Sequence, residues 1–175
     1  MSKQELTAVI YTENSIGLLN KVTTMFSRRR INIESLNVAP SEVDGIHRLT
    51  IVVFESEEVI KKLMLQIEKQ IDVFKTFYYT NEEIVWQDHI LFKIAIDESS
   101  NLKIENLCKY YGARHVTAGE SYVIYETTGP AETSDAIVKS LETIGITEMV
   151  RGARIAVAKY RHSFQQELTQ MICLP

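Results

Sequence analysis

The chain has 175 residues, 45% of them apolar and 24% charged, which suits one soluble domain or two small ones. Its formal charge of −4 gives no general attraction to nucleic acid or to an anionic membrane, and no apolar run is long enough to span a bilayer. The opening MSKQELTAVIY lacks the apolar core of a signal peptide, and Cys108 and Cys173 form no CxxC, so a reduced cytoplasm is expected.

Residues 6–11 predict a first strand. A polar loop follows, Thr12-Glu13-Asn14-Ser15-Ile16-Gly17, then a helix on which Leu18, Val22, Met25 and Phe26 recur at helical spacing. Asn14 or Ser15 is placed to cap that helix, and Arg28-Arg29-Arg30 closes it, where cations suit the negative end. Residues 31–38 alternate as a second strand, Pro40 and residues 41–45 mark a hairpin loop, and 47–54 (HRLTIVVF) form a β-branched third strand. Ser56-Glu57-Glu58 opens a helix whose apolar face is Ile60, Leu63, Met64 and Ile67, and residues 71–79 form a fourth strand. This βαββαβ order predicts an α+β, ferredoxin-like unit, an antiparallel sheet with both helices on one face.

The order repeats. Residues 90–96 read as a strand, 99–111 as a helix with Leu102, Leu107 and Tyr111 on its apolar side, and 113–117 and 122–127 as short strands. A helix over 131–143 would bury Ile137, Leu141 and Ile144, before strands at 146–150 and 155–158. The expected organisation is therefore a first unit over 1–80, a linker over 81–88, a second ferredoxin-like unit over 89–160 and a tail over 161–175. In the tail, Phe164, Leu168, Met171 and Ile172 are spaced for a short amphipathic helix, but a frayed terminus is the expectation. An exposed sheet edge lets two copies join side by side, so a homodimer through the N-terminal units is expected.

Catalytic signatures are missing. His47, His89, His115 and His162 lie in no HExxH or GxSxG motif, and His47, beside Arg48 at a strand start, is expected on the surface. Metal-ligand spacing, a Walker loop and a GxGxxG are absent, and Cys108 falls on an inner helix face. Glu57-Glu58 and Glu82-Glu83 read as solvated, and Tyr78-Tyr79 and Trp86, without interleaved basic residues, as core or interface.

The turn before the first helix admits two readings. It is a cap and a bend, or it is a receptor for a carboxylate at the positive helix end, with Gly17 letting a small ligand approach the backbone. Glu13-Asn14-Ser15-Ile16-Gly17-Leu18-Leu19, then Phe26-Ser27-Arg28-Arg29, then Asn32-Ile33-Glu34-Ser35-Leu36-Asn37-Val38-Ala39-Pro40 resembles the first ACT domain of the regulatory (small) subunit of acetolactate synthase, also called acetohydroxyacid synthase. The resemblance is tight over residues 13–40, continues through Arg48-Leu49-Thr50-Ile51, and is loose beyond Asp88, where Arg151-Gly152-Ala153 carries it.

It implies a chain with no catalysis and no cofactor of its own. Such a chain binds and activates the large catalytic subunit, on which thiamine diphosphate, magnesium and FAD are expected, and confers feedback inhibition by a branched-chain amino acid, valine first. It further implies an effector site at Asn14, Ile16, Gly17 and Leu18, closed by Asn32 and Ile33 of a second chain. Ile16 departs from the small residue usual before this glycine, and its bulk would narrow the pocket or remove a hydrogen bond. A free-standing amino-acid-sensing ACT protein and an enzyme on the same scaffold are the rival readings.

Overall fold

The computed structural model describes residues 2–96, 101–142, 145–160 and 164–172. The chain divides into two units, one of Met1–Val85 together with Ala156–Pro175, the other of Trp86–Ile155. The elements of the first unit are β1 (Gln4–Glu13), α1 (Leu18–Arg28), β2 (Ser35–Pro40), β3 (Ile46–Glu55), α2 (Glu57–Ile67) and β4 (Val73–Thr80). Its antiparallel sheet has the order β2-β3-β1-β4, the ferredoxin-like topology. Then follow β5 (Ile84–Ala95), α3 (Asn101–Tyr110), β6 (Arg114–Ala118), β7 (Tyr122–Gly129), α4 (Ala131–Glu142) and β8 (Ile146–Arg151), with the order β6-β7-β5-β8. The same topology is thus built twice. β9 (Ile155–Ala158) pairs with β5, and α5 (Phe164–Ile172) ends the chain.

Alternation on β1 sends Leu6, Ala8 and Ile10 toward the helices, where they meet Leu49, Ile51 and Val53 of β3, Leu18, Val22 and Phe26 of α1, and Ile60, Leu63, Met64 and Ile67 of α2. Each fully buried Val, Leu, Ile, Met or Phe side chain among them contributes roughly 1.5–3 kcal/mol over exposure. The second core repeats the scheme with Ile90, Phe92, Ile94, Ile104, Cys108, Val123, Tyr125, Ile137 and Leu141.

Several boundaries differ from the expected ones, each for a local reason. Helix α1 stops at Arg28, and Arg30 takes the left-handed conformation at φ 57°. The Ile31 N–H then bonds to Phe26 O at 3.1 Å and the Arg30 N–H to Ser27 O at 2.9 Å, a Schellman closure with Ile31 buried beside Phe26. Ile31 therefore belongs to the helix stop, and the second strand begins at Ser35 rather than at Ile31. Strand β5 begins at Ile84, so residues 84–88, expected in the linker, are strand. Leu102, expected inside, is 74% exposed, because Ile104 and Cys108 hold the inner stripe of α3. Ile144 lies outside the described residues.

The tail is also corrected. Residues 164–172 are helical, and Phe164 is buried, its ring stacked on Tyr11 at 3.9 Å between centroids. Tyr11 points to the sheet face opposite the helices, so a long-range ring contact anchors a segment whose own sequence says little. Arg48 lies over the same tyrosine ring at 5.7 Å and donates from Nη2 to Ala156 O at 2.5 Å. His47, expected on the surface, is half-buried with its Nδ1 enclosed.

Candidate functional site

Strand β1 ends at Glu13 and α1 begins at Leu18, leaving residues 14–17 as a turn at the positive end of a helix. Gly17 is the N-cap, left-handed at φ 84° and ψ −5°. A Cβ built there would meet nothing within 4 Å, so the turn is open beside the backbone, and φ alone disfavours a side chain. Neither Asn14 nor Ser15 supplies the expected cap: among the described residues no side chain caps the first turn of α1. Among the described residues only the Leu18 N–H of that turn is drawn back, to Ser15 O at 3.3 Å. The helix end thus keeps amide donors available to an anion.

The proposed site residues fall into two environments. Asn14, Ile16 and Gly17 are exposed, Ile16 completely so at 106%. Leu18 is buried in the core, so it can offer a ligand its backbone but not its side chain. Asn32 and Ile33 lie in the segment between the helix stop and β2. Asn32 is exposed and donates from Nδ2 to Glu34 Oε1 at 2.7 Å, while Ile33 packs partly against the core.

Two further residues brace the turn. The Glu13 N–H bonds to Asp72 O at 2.9 Å, and the Asp72 carboxylate takes Lys21 Nζ at 2.8 Å. Asp72 therefore ties the end of β1 and the start of α1 to the loop before β4. It sits 51 residues from Lys21, so no local pattern announces it. Just before the turn, the Thr12 hydroxyl is buried with no hydrogen-bond partner among the described residues.

A cavity of about 360 Å³ in the second unit is lined by Cys108, His115 and Tyr125 among others. Burial pushes the Cys108 thiol up to about 11, which keeps it protonated and a poor nucleophile. His115 stands edge-on to the Tyr125 ring at 5.6 Å. Among the described residues there is no group of three or more His, Cys, Asp or Glu side chains placed to hold a metal, and no helix is long and apolar enough to cross a membrane.

Comparison with known proteins gives this geometry a lineage. Residues 9–75 match the model of the AHAS small subunit-like ACT domain, and residues 87–160 that of the small subunit of acetolactate synthase. The chain is 33% identical over 147 residues to the acetolactate synthase small subunit of Bacillus subtilis, covering 83% of this chain and 86% of that one. It is 30% identical to the probable acetolactate synthase small subunit of Archaeoglobus fulgidus, covering 87% and 96%. The crystal structure of the small subunit from Thermotoga maritima superposes with a TM-score of 0.82 at 25% identity, over 91% of this chain and 99% of that one. The chain belongs to the family of acetolactate synthase small subunits, and its first unit is an ACT domain.

Proposed function

We propose that this chain is a non-catalytic regulatory subunit. It binds and activates the thiamine-diphosphate-dependent catalytic subunit of acetolactate synthase and carries the site through which a branched-chain amino acid, valine first, inhibits it. The observation that carries this reading is the uncapped turn at residues 14–17, a helix end with amide donors and no side chain spent on them. A zwitterion needs donors for its carboxylate, acceptors for its ammonium group and an apolar wall. The Gly17 amide suits the first and the Asn14 carbonyl oxygens the second. Asn32 and Ile33 from a second copy close the site.

A second copy is brought there by the β2 edge. The register with β3 turns the N–H groups of Leu36 and Val38 outward, and among the described residues no side chain bonds to either. Two ACT units joined along β2 form a homodimer, and effector held between them favours one arrangement over another by its difference in affinity.

The test is reconstitution with the catalytic subunit, with and without valine. Activation that valine reverses is the expected result, and a chain that leaves the catalytic rate unchanged is instead a free-standing sensor. Gly17→Asp, which puts a carboxylate where the effector's own would sit, should lower valine affinity at least tenfold by calorimetry while sparing activation. Unchanged binding would remove the turn from the site.

A further inference from the structure

The ACT sheet has a second edge, β4, and it is finished differently from β2. Pairing with β1 leaves the N–H groups of Thr76, Tyr78 and Thr80 pointing away from the sheet. Two of the three are taken by carboxylates. The Thr76 N–H and hydroxyl donate to Glu68 Oε2 at 3.1 and 2.7 Å. The Thr80 N–H and hydroxyl donate to Glu83 Oε2 at 2.8 and 3.0 Å. The same threonine–glutamate clamp therefore occurs twice, four residues apart. One carboxylate comes from the end of α2 and the other from the turn after β4. Lys75 Nζ holds the other oxygen of Glu68 at 2.8 Å.

Bulk does not close this edge. An open groove of about 880 Å³ runs beside it, lined by Glu68, Lys75, Tyr78 and Glu83 among others, with room for an extended segment. What an incoming strand would meet is charge. It must displace two ionised acceptors from backbone donors, and bonds of that kind are stronger than the neutral amide–carbonyl bonds offered in exchange. The β2 edge carries no such clamp among the described residues, and Pro40 at its end has no N–H to give.

We propose that Glu68 and Glu83 are edge plugs that bar strand addition to β4, so that the ACT sheet can gain a second copy of this chain on one flank only. A sheet able to extend at both edges would propagate into an open-ended assembly, while one closed edge makes the assembly finite. This does not depend on what the turn at residues 14–17 binds.

The experiment measures molar mass by light scattering, across a range of concentrations, on the full chain and on the Glu68→Ala/Glu83→Ala variant. Amide hydrogen exchange over residues 76–80 is read in parallel. The variant is expected to form species of at least twice the wild-type mass that grow with concentration, with exchange at residues 76–80 slowed about tenfold or more. Lys75→Ala, which leaves both clamps in place, should keep the wild-type mass. A folded double variant with unchanged mass overturns the proposal. So do larger species whose residues 76–80 exchange as in the wild type, because their contacts lie elsewhere. Should the double variant fail to fold, Glu83→Ala alone, altered only in an exposed turn, decides by the same two readings.

Discussion

At the scale of single residues, backbone conformation and local charge decide more than residue type. Gly17 is required by its positive φ and not by crowding, since a Cβ there meets open space. Glu68 shows the weight of partners. Partial burial acts to raise its pKa, but the bonds from Lys75 and Thr76 outweigh burial and hold the carboxyl below its ordinary value. A depressed folded value means the unfolded chain binds the proton more readily. The stabilisation is then complete above the unfolded value of roughly 4.3 and is lost as pH falls through the folded one. Urea midpoints at pH 7 and pH 3 should show a smaller acid-induced drop for Glu68→Gln than for the wild type, and equal drops would deny the carboxyl this role. The motif residues of the turn were legible in the sequence. Their brace, Asp72, was not, because its bonds to Glu13 and Lys21 join parts of the chain far apart.

At the scale of elements, periodicity was a good guide wherever one face decided the outcome. The inner stripe of α2, Ile60, Leu63, Met64 and Ile67, is buried as the 3.6-residue spacing requires. The misplaced start of β2 shows the limit of the method. Ile31 and Ile33 alternate like strand residues, yet Ile31 closes the preceding helix through its bond to Phe26. No glycine marks that stop, because an arginine holds the left-handed position. Arg30→Gly should therefore stabilise the chain by about 0.5–1 kcal/mol, seen as a higher urea midpoint at constant slope. A lower midpoint would mean that the arginine side chain contributes more than its conformation costs.

At the scale of the whole chain, two copies of one topology were readable from the repeated order of strands and helices, and the ACT family from the residues around Asn32 to Pro40. The destination of the last segment was not readable. Its helical spacing is short, and its anchor, Phe164, finds Tyr11 across more than 150 residues of sequence. Truncating a buried phenylalanine costs about 3–5 kcal/mol in a closed core. Phe164→Ala should fall near the lower end, about 3 kcal/mol in urea unfolding, with near-ultraviolet circular dichroism reporting the loss of the stacked rings. An unchanged spectrum would mean that the stack contributes nothing to the anchoring.

Because the first unit takes its residues from both ends of the polypeptide, no single cut releases it whole. A fragment stopping at Val85 would keep four strands, two helices and every side chain of the inner core, and would pass for complete by any measure of secondary structure. It would nonetheless carry a bare tyrosine on the back of its sheet, where Phe164 belongs. Such a fragment should cling to its own kind until a peptide spanning residues 156–175 is added back, so anyone dissecting this chain should divide it in three.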